Sequence, residues 1–323
     1  MDVVRIGDLK VSPIGIGAWQ AGFRSWGRGY TKEDLIDAYR YAFDHGVNLI
    51  DTAEIYGNGL SEEIVGEAIR GYSDIIVATK VAGFNVSRGS MLKSVERSRR
   101  RLGVDAIDLY QLHWPPSVFT DLCKVIRNME RLIDKGLVRH IGVSNFDERL
   151  LDKALKCLKK YEIVSNQIQY SLVFRYPDKA LRKYMEDRGI ALIAYSPLGK
   201  GVLAGKTKAD NAARRMDRIF NMASKDSNLQ DLLGRLSEKY GVSKASISLR
   251  WLIDKGAIPI PGVKNRNHVN SILDAMELRI SGDDMAELDR ATAKYINISF
   301  PSVAPRLIPN MFIKFVIGLM RGV

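Results

Sequence analysis

Residues 47–80 read VNLIDTAEIYGNGLSEEIVGEAIRGYSDIIVATK. The stretch opens on a short apolar run, Val47-Asn-Leu-Ile-Asp51, and closes on a second, Ile75-Ile-Val-Ala-Thr-Lys80. Between them lies an amphipathic pattern with Ser61-Glu-Glu at its start, matching an N-cap and an acidic first turn, and Gly71 just past its end. Strand, helix, strand in so few residues brings two strands side by side in parallel, because the helix carries the chain back along the sheet.

The same unit recurs on both sides. Upstream stands Ile14-Gly-Ile-Gly-Ala18; downstream follow Ile107-Asp-Leu-Tyr-Gln-Leu-His113, Val138-Arg-His-Ile-Gly-Val-Ser144, Ile163-Val-Ser-Asn-Gln-Ile-Gln-Tyr170, Ala191-Leu-Ile-Ala-Tyr-Ser196 and Ala257-Ile-Pro-Ile-Pro261. Thr31-Lys-Glu-Asp34 caps the first helical pattern, and Gly46, Gly103, Gly136, Gly189 and Gly256 join Gly71 between a helix and the next strand. Eight such units favour a closed (β/α)8 barrel over an open doubly wound sheet. An open dinucleotide-binding sheet would place Gly-x-Gly-x-x-Gly after the first strand, but Gly15 and Gly17 are followed by Ala18, Trp19 and Gln20. The domain reading is one barrel over residues 1–323. It carries an N-terminal hairpin at 3–11 that plugs the bottom, a long active-face loop at 197–230 expected to be mobile, and an apolar C-terminal tail at 296–323.

Composition sets broad limits. At 323 residues, 46% hydrophobic and 27% charged, the chain can bury a large core, and its length alone fits one barrel or two smaller domains. Its two cysteines, Cys123 and Cys157, have no ligand-spaced neighbours, so neither a disulfide framework nor a metal site is expected. The N-terminus lacks signal-peptide order and no apolar run reaches membrane length, which points to a cytoplasmic protein without stable membrane insertion. The net charge of +12 is spread among acidic residues along the helical patterns. It therefore argues against a specific nucleic-acid surface and leaves a phosphate-bearing small molecule as the anionic partner.

In a barrel, the C-terminal ends of the strands share one mouth. Asp51, Lys80 and His113 close three successive strands, and Tyr56 follows in the loop after Asp51. Those types suit reduction of a carbonyl, whose oxygen must gain a proton as hydride arrives. A tyrosine with pKa near 10 is a poor donor at neutrality. Lys80 is expected to lower that pKa, Asp51 to hold the lysine, and His113 to supply a second hydrogen bond to the oxygen. Trp19 and Trp114 are candidate walls of a substrate pocket, and Gln20, Phe23, Trp26, Tyr30 and Phe84 fall near the same face.

These four residues, with Asp51-Thr-Ala-Glu-Ile-Tyr-Gly57 and Leu109-Tyr-Gln-Leu-His-Trp114 around them, resemble the tetrad of the aldo-keto reductase superfamily. The likeness continues through Ile141-Gly-Val-Ser-Asn-Phe146, Asn166-Gln-Ile-Gln-Tyr170, Ala194-Tyr-Ser-Pro-Leu-Gly199 and Ile258-Pro-Ile-Pro-Gly-Val-Lys264, in order over nearly the whole chain. The resemblance implies hydride transfer from NADPH, held without a Rossmann motif, to a small aldehyde or ketone, and the reverse oxidation of alcohols. It also implies that Ser144, Asn145 and Gln167 hold the carboxamide and that Tyr195 stacks on the nicotinamide. Ser196, Leu198 and Gly199 would flank the pyrophosphate, and Gly262, Lys264, Asn265, Arg266 and His268 would clamp the adenosine phosphate. His268 stands where the family commonly has Arg or Gln, and Ser271 and Ile272 replace its usual acidic residue and Asn, so NADH use stays open. The alternative is a nicotinamide-sensing partner subunit with little turnover, like the branch of the superfamily that associates with potassium channels, with the apolar tail as its docking element. Oligomeric state and physiological substrate are not legible.

Overall fold

The computed structural model describes residues 3–22, 29–210 and 212–298. Phe23, Trp26 and the tail from residue 299 lie outside the described residues, and with them the feature that motivated the partner-subunit alternative.

Strands β1 (Val4–Ile6) and β2 (Leu9–Val11) form the expected antiparallel hairpin. The sheet follows as β3 (Ile16–Gly17), β4 (Leu49–Asp51), β5 (Ile76–Val81), β6 (Ile107–Leu112), β7 (Val138–Ser144), β8 (Ile163–Gln169), β9 (Ala191–Tyr195) and β10 (Ala257–Pro259). Each strand lies parallel to the next in chain order. The ring closes where β3 meets β10. The Gly15 and Gly17 amides donate to the Pro259 and Pro261 carbonyls, both at 2.9 Å, and Gly17 bridges Gly262. Proline has no N–H, so this seam uses only the acceptors that Pro259 and Pro261 keep. A Cβ on Gly17 would come within 2.7 Å of the Ile260 carbonyl oxygen, so the close approach of the two strands needs glycine.

The helices are α1 (Lys32–Asp44), α2 (Leu60–Ala68), α3 (Arg88–Leu102), α4 (Leu122–Asp134), α5 (Glu148–Cys157) and α6 (Leu181–Glu186). They continue with α7 (Ala212–Arg215), α8 (Arg218–Ala223), α9 (Ser227–Tyr240), α10 (Lys244–Asp254), α11 (Arg266–Glu277) and α12 (Gly282–Ala291). Among the described residues no helix is long and apolar enough to cross a membrane. Thr31 caps α1 in a full capping box with Asp34.

Ser61 does not cap α2, which starts one residue earlier, after Gly59. Its hydroxyl is instead buried, donating to the Ala18 carbonyl at 2.8 Å and paired with Thr52, while Glu62 accepts from Thr79 and Arg101. Tertiary partners thus claimed the polar groups that the pattern assigned to a cap. The stretch 197–230, expected as a loop, holds a short 3-10 turn (Gly199–Ala204), α7, α8 and the start of α9. Asp217 and Asp226 cap the latter two helices, and Val202, Leu203 and Phe220 are buried.

A second correction concerns the cysteines. Cys123 of α4 and Cys157 of α5 form a disulfide, with Cα atoms 4.8 Å apart. The partner is supplied by the packing of neighbouring helices across 34 residues of sequence, which no local spacing reveals. A crosslink closing a loop of that length stabilises by about 4 kcal/mol in the chain-entropy account. Cys123→Ser is therefore expected to lower Tm by several degrees. Wild type treated with reductant should melt with the variant, and the variant should not respond to reductant. A wild type insensitive to reductant would show that the crosslink carries no stability.

Two apolar layers hold the barrel. One lies between the helices and the outside of the sheet; the other fills the barrel's lower interior, where Ile6, Leu9 and Val11 of the hairpin meet Leu49, Ala78, Leu109, Ile193 and Ile258. Strand periodicity of two then carries the chain upward on the same inner face from Leu49 to Asp51, Ala78 to Lys80, and Leu109 to Gln111 and His113. An apolar plug below thus becomes a polar floor above.

Candidate active site

The polar floor opens into a cleft of about 940 Å³ at the C-terminal ends of the strands. Asp51, Tyr56 and His113 line it, and Lys80, fully buried, lies beneath them. The Lys80 Nζ pairs with Asp51 Oδ1 and donates to the Thr52 carbonyl at 2.8 Å. The same ammonium sits 5.2 Å from the centre of the Tyr56 ring. Tyr56 Oη lies 3.4 Å from His113 Nε2, with the two rings edge to face at 79°. The structure therefore brings together the four residues that the strand ends pointed to.

Their electrostatics differ from the expectation in one respect. Burial, and then the Asp51 carboxylate, push the Tyr56 hydroxyl above its ordinary value of 10, where Lys80 was expected to lower it. The reason is that desolvation of the buried hydroxyl dominates and Asp51 adds to it, outweighing the Lys80 ammonium, which is paired with that carboxylate. Burial also lowers Lys80 itself, against the pull of Asp51. His113 is pushed well below 6.5 by burial and the nearby Lys80 charge, which makes it a neutral imidazole at physiological pH. Its Nδ1 is buried and, among the described residues, has no hydrogen-bond partner.

Around this centre Ser144, Asn145, Gln167 and Tyr195 line the cleft. Asn145 takes a left-handed backbone, φ +62°, an uncommon state for a residue with a side chain. Its side chain is held by its neighbours: Nδ2 donates to the His113 carbonyl and to Ser144 Oγ, and Oδ1 accepts from Tyr195 Oη at 2.9 Å. Ser196, also left-handed at φ +51°, and Leu198 follow at the rim, while Gly199 lies behind the lining. Trp19 and Trp114 line the other end, the Trp19 and Tyr56 ring centres being 6.2 Å apart.

The far end of the cleft is basic, from a partly different set of residues than expected. Gly262, Lys264 and His268 line it; Asn265 and Arg266 do not. Asn265 caps α11 by accepting from the His268 amide, and Arg266 makes a two-point pair with Asp37 of α1 at 2.8 and 2.5 Å. In their place Lys206 and Arg214 reach in from the 197–230 stretch, both side chains passing over Gly201. Burial, then Lys206 and Arg214, lower the Lys264 ammonium; burial, then Lys206 and Lys264, lower His268. Cations crowded enough to weaken one another form a site suited to an anion. Gln20 lies on Gly262 so closely that a Cβ there would overlap it, and among the described residues its buried Oε1 has no partner.

The sequence reading missed Lys206, Arg214 and Gln111; Gln20, a candidate pocket wall, does line the cleft. Gln111 had a signal, a polar residue inside an apolar strand two places before His113; the loop cations had none beyond their charge.

Comparisons with known proteins agree with this architecture. The family model described as Aldo/keto reductase family matches residues 13–293. A chloroplastic pyridoxal reductase of Arabidopsis thaliana is 33% identical over 314 residues, covering 89% of this chain and 85% of its own. Among solved structures, a glycerol dehydrogenase from Gluconobacter oxydans superposes with TM-score 0.80 at 29% identity, covering 93% of this chain and 98% of its own. An aldo-keto reductase from Klebsiella pneumoniae in complex with NADPH gives 0.74 at 29% identity, covering 91% and 94%. With the closed barrel and the model match across most of its length, the chain belongs to the aldo/keto reductase family.

Proposed function

We propose that the protein reduces aldehydes or ketones to alcohols with NADPH, using Tyr56 as the general acid. The observation that carries this reading is the approach of Tyr56 Oη to His113 Nε2 above the buried Lys80–Asp51 pair, in a cleft whose far end is cationic. The donor set fits a phosphorylated dinucleotide. Lys206, Arg214, Lys264 and His268 would hold the 2′-phosphate, and the amides of Asn145 and Gln167 with the Ser144 hydroxyl would meet the carboxamide. Tyr195 would offer its face to the ring. When bound, the nicotinamide supplies the hydride.

The chain's own residues handle the proton. The Tyr56 hydroxyl, kept protonated by burial and by Asp51, donates to the carbonyl oxygen. Neutral His113 offers a second hydrogen bond at the same oxygen, and the Lys80 ammonium beside the ring stabilises the tyrosinate left behind. The described wall of the substrate end, Trp19, Ile55 and Trp114, is uncharged and largely aromatic, which favours a flat aromatic aldehyde.

Purified protein is expected to oxidise NADPH in the presence of 4-nitrobenzaldehyde. Trp19→Ala should raise KM for that aldehyde about tenfold, the scale of a lost aromatic contact, while changing KM for propanal little. An absence of NADPH oxidation with both aldehydes would sink the reading.

A further inference from the structure

The Asp51 carboxylate is engaged on both oxygens. Lys80 takes Oδ1, and two glutamines share Oδ2: Gln111 Nε2 donates at 2.9 Å and Gln167 Nε2 at 2.8 Å. The second N–H of Gln167 points to Gln111 Oε1 at 3.3 Å. All four residues are buried, with no more than 3% of any exposed. A carboxylate accepts only, so both amides must turn nitrogen towards Asp51. Gln111 then presents its oxygen to Gln167, whose two N–H groups are both committed. Among the described residues nothing donates to Gln167 Oε1, so that oxygen is left to meet a donor from the cleft.

Gln111 itself does not line the cleft. It sits on β6 in register with Lys80 on one side and Gly142 on the other. Gly142 leaves it room: a Cβ there would come within 3.2 Å of Gln111 Cγ and 2.3 Å of Ser165 Oγ.

We infer that Gln111 is a positioning residue that locks the Gln167 amide, oxygen towards the cleft, and so ties the orientation of the nicotinamide carboxamide to the Asp51–Lys80 pair. This rests on the cofactor reading above. Without Gln111, one N–H of Gln167 loses its acceptor, the amide is held by its single bond to Asp51 and can swing about it, and Oε1 no longer holds a fixed place. A carboxamide that is not held lets the ring turn over, so that either face of C4 can meet the substrate.

The test is a double-mutant cycle on NADP binding, read by quenching of tryptophan fluorescence and independent of turnover. Gln111→Met, of similar volume but without the amide, is expected to weaken binding about tenfold, and Gln167→Met by at least as much. The double variant should bind within about twofold of Gln167→Met alone, because Gln111 acts through Gln167. With NADPH deuterated at either C4 position in turn, wild type should transfer label from one position and Gln111→Met from both. Unchanged binding in Gln111→Met, or losses that add in the double variant, would overturn the inference. If Gln111→Met does not fold, Gln111→Asn, whose amide falls one methylene short, is read in the same way. A wild type that binds no NADP would instead overturn the cofactor reading.

Discussion

Tyr56→Phe is expected to lower kcat for aldehyde reduction by about 10²- to 10⁴-fold, the usual range for a lost general acid, with NADPH affinity nearly unchanged. The substitution removes one oxygen and keeps the ring. The Oη approach to His113 is lost, but the ring contacts with His113 and Trp19 and the Lys80 ammonium 5.2 Å from the ring centre survive. The loss therefore belongs to the transition state and not to folding or binding. The pH dependence carries a second signature. Tyr56 is held above 10 and His113 well below 6.5, so neither changes protonation between about pH 7 and pH 9. The plot of kcat/KM for reduction is expected to be flat with respect to both across that window. A His113-like limb near pH 6.5, or a Tyr56→Phe enzyme with wild-type kcat, would contradict the mechanism.

The second large effect concerns the phosphate end. Lys206→Ala and Lys264→Ala are each expected to weaken NADPH binding by roughly 10- to 100-fold, as for a lost charge-assisted hydrogen bond, and to leave NADH binding almost unaffected. Arg266→Ala should leave both cofactors alone, because its guanidinium is occupied by Asp37 on the outside of the barrel. Dissociation constants for the two cofactors at one salt concentration decide the matter. Equal weakening of NADH and NADPH by Lys206→Ala, or an Arg266→Ala effect as large as that of Lys264→Ala, would return the clamp to the residues of the last strand and its helix.

What was legible in the chain follows from the range of the interactions involved. The barrel could be read because strand, helix and glycine stop recur as local patterns; the six glycines between helix and strand all have positive φ, from +64° to +96°. Asp51, Lys80 and His113 could be read as neighbours because strand ends in this architecture must converge. Arg266 could not, since its partner Asp37 lies 229 residues away and its side chain could have turned either way. Cys123 and Cys157 failed for the same reason, being joined by helix packing alone. Ser61 misled because a serine before two glutamates is a cap only if its hydroxyl stays near its own helix, and here Ala18 and Thr52 claimed it. The direction of the Tyr56 shift was missed because residue types reveal which charges are present but not how deeply the hydroxyl is buried among them.

The seam between β3 and β10 has a bearing on how the protein comes into being. Gly17, Pro261 and Gly262, which close the ring, also line the cleft. A nascent chain emerging from the ribosome exposes Asp51, Tyr56, Lys80 and His113 long before residues 257–264 are synthesised. Until then the sheet has two open edges, and one wall of the dinucleotide cradle does not exist. The four residues proposed to carry the chemistry are thus in hand early, yet the binding site is completed later, by the contact of greatest sequence separation in the sheet, a non-local pairing of the kind that slows folding. Ligand capture in this chain therefore reports that the last strand has joined the first.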